Sequence, residues 1–85
     1  MPELPRQVVR EYHFEHDLHR LIPDAKSADE FIEAAEFVLA RDPQIGTRIA
    51  PDSNVWVLAM APIQGTEVAL YYTFDESTVW LIAIG

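Results

Sequence analysis

Three histidines lie three residues apart in the stretch EYHFEHDLHRLI, which covers residues 11–22. They are His13, His16 and His19, and the chain contains no other histidine. Imidazole binds zinc and exchanges protons near neutral pH, so such a cluster could form a metal site or an acid–base centre. The surrounding residues decide between these chemistries and an ordinary polar helix face.

The spacing of the histidines does not match a metal signature. His16 and His19 would be neighbours on a helix, whereas the residues before His13 favour a strand there. Structural zinc needs four ligands and catalytic zinc needs three plus water, but the chain has no cysteine. The adjacent Glu15 and Asp17 would point to other faces of the helix. We therefore expect no metal, no cofactor and a solvated helix face.

Charge excludes several classes of partner. The chain has 14 acidic and six basic residues, and its formal charge is −8. Nucleic acids and anionic lipids are bound by lysine and arginine that displace counterions, so we expect no strong nucleic-acid binding and no membrane association. No cation follows position 48, and the full set is Arg6, Arg10, Arg20, Lys26, Arg41 and Arg48.

Length and composition predict one small domain. The 85 residues are 49% hydrophobic and 11% aromatic, which is enough to form a core. The absence of cysteine favours a cytoplasmic location, and no apolar run approaches the roughly 18 residues of a membrane span. We expect a single domain over residues 1–85, with an extended lead-in over residues 1–7.

The stretch SADEFIEAAEFVLARDP, residues 27–43, has the periodicity of an amphipathic helix. Ser27 and Glu30 have the spacing of a capping box, and Asp42-Pro43 should end the helix. The predicted apolar face comprises Ala28, Phe31, Ile32, Ala35, Val38 and Leu39.

The periodicity then changes to two. Three apolar runs, NVWVLAMAP, TEVALYYTFD and STVWLIAIG, are separated by short turn sequences, and this pattern predicts an antiparallel β-meander. Before the long helix, QVVREYHF favours a strand and EHDLHRLIP a short helix. The order β-α-α-β-β-β indicates an α+β fold.

Both faces of the predicted sheet are apolar. In the last run, alternation places Val79, Leu81 and Ala83 on one face and Trp80, Ile82 and Ile84 on the other. A sheet with one solvated face normally alternates polar and apolar residues, and the helices are too few to cover two faces. We predict that the uncovered face binds a partner or a second copy, through Trp56, Tyr71 and Trp80.

The segment ARDPQIGTRI, followed by VWVLAMAPIQGTEVALYYTFDESTVWLIAIG, resembles the RelE/ParE toxin superfamily of bacterial toxin–antitoxin modules. The resemblance covers about residues 8–85 and is strongest at Asp42-Pro43-x-x-Gly46 and at Tyr72-x-x-Asp75. It implies a small antiparallel sheet, formed by the N-terminal strand and the C-terminal meander, with two helices on one side. It also implies an antitoxin protein or peptide wrapped over the toxin.

The sequence departs from relatives that cleave messenger RNA on the ribosome. Such relatives carry lysines, arginines and often a tyrosine on the sheet and tail, because the reaction needs a proton acceptor, a proton donor and a cation. Here Ala69 stands about where an arginine is usual, and the sequence ends in AIG rather than a basic tail. Arg41, Arg48 and Tyr72 are the remaining catalytic candidates, and we expect no efficient cleavage.

Three functions follow from these observations. The leading hypothesis is a toxin-fold protein of a toxin–antitoxin module that acts by protein binding, where a gyrase-type target is compatible with the residues present. The first alternative is an active ribosome-dependent endoribonuclease that uses Arg41, Arg48 and Tyr72. The second alternative is an unrelated small α+β module that dimerises through its apolar sheet face.

Overall fold

A computed structural model describes residues 4–85, so the first three residues of the predicted lead-in lie outside the described part. The elements are β1 (Gln7–Arg10), α1 (Tyr12–Leu21), α2 (Ala25–Arg41), a 3-10 turn (Pro43–Ile45), β2 (Thr47–Arg48), β3 (Trp56–Ile63), β4 (Thr66–Phe74) and β5 (Thr78–Ile84). The five strands form one sheet in the order β1-β5-β4-β3-β2. The predicted α+β class and the C-terminal meander are confirmed.

The N-terminal strand makes the sheet mixed. β1 runs parallel to β5, with Gln7 opposite Thr78 and Arg10 opposite Leu81, whereas every other pairing is antiparallel. A parallel neighbour requires a long connection, and the chain between β1 and β5 includes both helices and the strands β2 to β4. The expectation of an antiparallel sheet therefore holds for β2 to β5 and fails at β1.

The first helix begins earlier than predicted. β1 ends at Arg10, and α1 starts at Tyr12, so His13 is helical and not part of a strand. Phe14 and Leu18 lie four residues apart on α1 and are both fully buried. Burial of this pair favours helix over strand for the segment, since side chains four apart share one helix face.

The second helix is capped by Asp24. Its carboxylate accepts hydrogen bonds from the Ser27 backbone N–H at 2.9 Å and from the Ser27 hydroxyl at 2.7 Å. The prediction of a capping box at Ser27 was wrong. The Asp24 carboxylate accepts the hydrogen bond from the first-turn N–H of Ser27, and the helix therefore starts at Ala25. The helix ends at Arg41, before Asp42-Pro43, as predicted. Its buried residues are Ala28, Ile32, Ala35, Leu39 and Ala40.

The Asp24 cap gives a prediction on pH dependence. The hydrogen bonds from the Ser27 side chain and backbone lower the pKa of Asp24 below its usual value. A lowered pKa means that the cap stabilises the fold above the unfolded-state pKa of about 3.9 and is lost as pH falls through the lower folded-state pKa. We expect Asp24→Ala to lower the melting temperature at pH 7, whereas Asp24→Asn keeps the acceptor and most of the stability.

Thermal melts followed by circular dichroism at pH 7, 4 and 3 test this prediction. Wild type should lose more stability between pH 4 and 3 than Asp24→Asn, which cannot titrate at this position, and Asp52→Asn at an exposed site serves as the control. Equal melting temperatures for wild type and Asp24→Ala at pH 7 would show that the cap contributes nothing.

One face of the sheet packs against both helices, and we call it the helix-packed face. Its buried strand residues join Phe14, Leu18, Ile32 and Leu39 in one hydrophobic cluster. These strand residues are Val68, Leu70, Tyr72, Val79, Leu81 and Ile84.

A bulge in β5 changes the predicted alternation. Leu81 pairs with Tyr72, but Ala83 pairs with Tyr71, so an extra residue is accommodated between them. Ile84 is consequently buried on the helix-packed face, at 2% exposure, where strict alternation placed Ala83. Leu81 and Ile84 thus share a face although they are three residues apart.

No helix within residues 4–85 is long and apolar enough to span a membrane.

Candidate protein interface

The opposite side of the sheet carries neither helix, and we call it the helix-free face. Cross-strand pairing places Val9 opposite Trp80, Trp80 opposite Thr73, and Tyr71 opposite Val57. None of these residues belongs to the hydrophobic cluster, and all are partly exposed. The structure therefore places two predicted partner-binding residues, Tyr71 and Trp80, on one uncovered surface.

Trp56 lies on the helix-packed face, so the prediction that it shares a surface with Tyr71 and Trp80 was wrong. It pairs with Tyr72 across β3 and β4, and its ring packs against Phe74 with centroids 5.4 Å apart. Its neighbour Val57 takes the position opposite Tyr71.

A second bulge explains the position of Trp56. The hairpin turn pairs Ile63 with Thr66, and counting outward without interruption would place Trp56 opposite Thr73, on the helix-free face. The register shifts by one between Met60 and Ile63, and this shift exchanges the two faces along the rest of β3. Pro62 lies inside the interval and cannot donate to the ladder. This proline was the sequence signal for the bulge.

Arg48 pairs with Trp56 and lies in a cleft on the helix-packed side of the sheet. Its guanidinium donates to the Pro51 carbonyl at 2.9 Å and lies 5.5 Å from the centroid of the Trp56 ring. The cavity has a volume of about 310 Å³. Its lining residues are Gln44, Arg48, Pro51, Asp52, Ser53, Asn54, Trp56 and Phe74.

Tyr72, another catalytic candidate, is fully buried. Its hydroxyl donates to the Pro43 carbonyl at 2.6 Å and accepts from the Gly46 N–H at 3.1 Å. Desolvation raises the pKa of this hydroxyl above its usual value of about 10, which disfavours proton transfer near neutral pH. The hydroxyl joins β4 to the 3-10 turn. It donates a hydrogen bond to one residue of that region and accepts a hydrogen bond from another, so its role is structural.

Arg41 is not among the residues that line the cleft. Its guanidinium stacks over the Phe37 ring at 3.7 Å and donates to the Phe37 carbonyl at 3.1 Å, within the last turn of α2. The three catalytic candidates therefore occupy different environments: Arg41 on the helix surface, Arg48 in the cleft and Tyr72 in the core.

Each histidine contacts a residue four positions away along α1. His13 lies 3.3 Å from the Asp17 carboxylate, His19 lies 3.1 Å from the Glu15 carboxylate, and the His16 ring stacks near Tyr12. Within the described residues, no group of three or more histidine, cysteine, aspartate or glutamate side chains is arranged to hold a metal ion. The absence of bound metal stays a prediction.

Comparisons with known proteins bear on the fold. No protein-family profile matches the chain, and a search of curated proteins finds no match. Among solved structures, it is similar to a chain of the toxin–antitoxin complex RelBE2 from Mycobacterium tuberculosis, with a TM-score of 0.71 and 23% sequence identity. The match covers 96% of this chain and 91% of the other. The predicted α+β fold, with two helices on one side of a small sheet, is shared with that chain.

Proposed function

We propose that this chain is a toxin-fold protein of a cytoplasmic toxin–antitoxin module that acts by binding another protein through its helix-free face. The observation that carries the proposal is the position of Tyr71 and Trp80, two large aromatic residues outside the hydrophobic cluster on an uncovered sheet surface. The shared fold with a chain of the RelBE2 toxin–antitoxin complex supports an antitoxin as the partner.

Physical chemistry supports an interface at this surface. Large contiguous apolar patches are uncommon on soluble monomers, and they commonly mark association sites. Tyrosine and tryptophan are enriched among residues that dominate binding energy, because each offers a large rigid area together with a polar atom. Val9 and Val57 extend the patch to either side of the two aromatic rings.

The same geometry disfavours efficient RNA cleavage as the principal activity. The attack of a 2′-hydroxyl on its neighbouring phosphate needs an acceptor, a donor and a cation close together. The hydroxyl of Tyr72 is hydrogen-bonded to Pro43 and Gly46, and Arg41 stacks on Phe37 and does not line the cleft. This distribution favours protein binding over catalysis.

The cleft at Arg48 is the observation that favours the endoribonuclease alternative. Trp56 and Phe74 present aromatic surfaces beside the Arg48 guanidinium, and single-stranded RNA is bound by aromatic stacking combined with cations. Asp52 also lines the cleft and would repel a phosphate. We therefore rank this alternative second.

The proposal is tested with the product of a short reading frame adjacent to the gene, purified and titrated calorimetrically. We expect Tyr71→Ser and Trp80→Ser each to weaken its binding about 30-fold, which corresponds to about 2 kcal/mol. Phe37→Ser is the matched control, because Phe37 is an aromatic residue 61% exposed on the helical side. Its affinity should stay within twofold of wild type. If all three variants bind like wild type, the helix-free face is not the interface.

Two further experiments distinguish the proposed function from its two alternatives. Primer extension on ribosome-bound message should show no new cleavage by wild type. Specific cuts that disappear in Arg48→Ala would establish the endoribonuclease alternative. Light scattering on the free chain tests self-association, and a dimer disrupted by Trp80→Ser, together with no binding of the neighbouring product, would establish the dimerising module.

A further inference from the structure

The distribution of charge around the helix-free face indicates what kind of protein segment it would bind. We infer that this face binds a basic amphipathic helix, an inference that rests on the proposed function because it uses the same surface. Three observations support it: the six cations lie elsewhere, the face carries the exposed carboxylate Glu67, and the backbone groups of the inner strands are already hydrogen-bonded.

All six cations lie on the helical side of the molecule or at its edge. Arg10 lies on the helix-packed face and bonds to Glu36 on α2, and Arg20 and Arg41 lie on helices, as does Lys26. The remaining two stack on aromatic rings that pack against the hydrophobic cluster: Arg6 over Phe74 and Arg48 over Trp56.

The helix-free face is formed mainly by a segment without cations. From position 49 onward the chain carries neither lysine nor arginine. Of its four carboxylates, Asp52 lines the cleft beside Arg48 and Asp75 lies next to Arg6, so Glu67 is the one that the strands place on this face. Glu67 is exposed and precedes Val68, which is buried on the helix-packed face, so strand alternation directs Glu67 to the helix-free face. A partner with lysine or arginine beside its apolar residues would match this surface.

A second copy of the chain would be a poor occupant. Self-association through this face would bring two surfaces without cations together, on chains that each carry a formal charge of −8. Juxtaposed like charges disfavour association and reduce its rate, whereas opposite charges steer it. Charge complementarity therefore selects a different, basic protein.

The partner segment should be a helix and not a strand. The backbone groups of β4 are already paired with β3 on one side and β5 on the other, so an extended segment could pair only with a sheet edge. Sheet faces are covered by helices, as α1 and α2 cover the opposite face. Strand spacing and rise give a surface about 20 Å wide and 25 Å long, which fits one helix of about 17 residues.

Two synthetic 18-residue helical peptides test the inference. Both carry the same leucine and alanine stripe, and their polar positions are lysine in one and glutamate in the other. We expect the lysine peptide to bind, as followed by fluorescence anisotropy, and the glutamate peptide to bind at least tenfold more weakly. Equal affinities for the two peptides would overturn the inference.

Matched charge reversals locate the binding surface. Glu67→Lys should weaken binding of the lysine peptide at least fivefold, whereas Glu33→Lys, an equal charge change at an exposed position of α2, should leave it within twofold. Equal losses in the two variants would indicate attraction to overall charge and overturn the inference.

The same variants separate this inference from the proposed function. If Trp80→Ser weakens binding of the neighbouring gene product but Glu67→Lys does not, the interface stands and the basic-helix inference fails. If Trp80→Ser has no effect on that product or on the lysine peptide, both fail.

Discussion

Replacement of Gly46 by alanine should destabilise the fold by about 3 kcal/mol, the upper end of the cost of overpacking a tight site. A Cβ atom at this position would lie 2.5 Å from the Tyr72 hydroxyl oxygen and 2.5 Å from the Val57 carbonyl oxygen. The backbone conformation at Gly46, with φ of −79°, is accessible to any residue, so the cost arises from lack of space alone. The carbonyl belongs to a sheet strand and cannot rotate away.

Urea unfolding of four variants measures the effect: Gly46→Ala, Tyr72→Phe, their double variant and Gly65→Ala. Tyr72→Phe removes one of the two obstructions, so Gly46→Ala should cost less in that background than in wild type, but the Val57 carbonyl should keep the cost above zero. Gly65→Ala is the control, because Gly65 has φ of +79° and open space around its added Cβ. Its cost should be about 1 kcal/mol, from the left-handed conformation alone. A smaller cost for Gly46→Ala than for Gly65→Ala would contradict the steric argument.

Replacement of Arg10 by methionine should cost about 2 to 3 kcal/mol, because it leaves acidic groups without their common cation. Two guanidinium nitrogens of Arg10 donate to the Glu36 carboxylate, each at 2.9 Å, and a third donates to Asp29 at 2.9 Å and to Glu15 at 3.4 Å. The Arg10 side chain is only 20% exposed, so solvent screens this bidentate pair less than a surface pair. The contact joins β1 to both helices.

The Arg10→Lys variant separates the contribution of the bidentate geometry to stability from that of the positive charge. Arg10→Lys keeps the positive charge but cannot form the bidentate pair, so we expect an intermediate loss of stability. Lys26→Met makes the same charge change as Arg10→Met at an exposed site and should alter stability by no more than about 0.5 kcal/mol. Similar losses for Arg10→Met and Lys26→Met would show that net charge, and not the Arg10 contacts, determines the result.

Local patterns predicted the long helix and the meander, because both have a periodicity that neighbouring residues repeat. Prediction failed where two local patterns overlap within a few residues. Val8, Val9 and Phe14 fit a strand that continues through His13, but Phe14 and Leu18 also fit one helix face, and contact with the core favours the helix. The cap at Asp24 was missed for a similar reason, since Ser27 also matches a cap sequence.

The apolar character of the helix-free face was predictable, but which residues lie on it depended on strand register. Tyr71 and Trp80 were correctly placed on an uncovered face, because apolar residues on both sides of the strands exceed what two helices can cover. Trp56 was misplaced because a single bulge near Pro62 reverses the faces of β3. The parallel pairing of β1 with β5 is set by contacts distant in sequence, so periodicity could not reveal it.

The position of β5 between β1 and β4 has a consequence for the order of folding. Gln7 pairs with Thr78, 71 positions later, so the first strand has no neighbour in the sheet until the last strand has been synthesised. Contacts at such separation slow folding, because the intervening chain must be ordered before the contact forms. A nascent chain that stops before β5 lacks Val79, Leu81 and Ile84, and so loses half of the strand residues that cover the apolar sides of the helices. Such a chain should aggregate or be degraded, and should not persist as a shorter folded form.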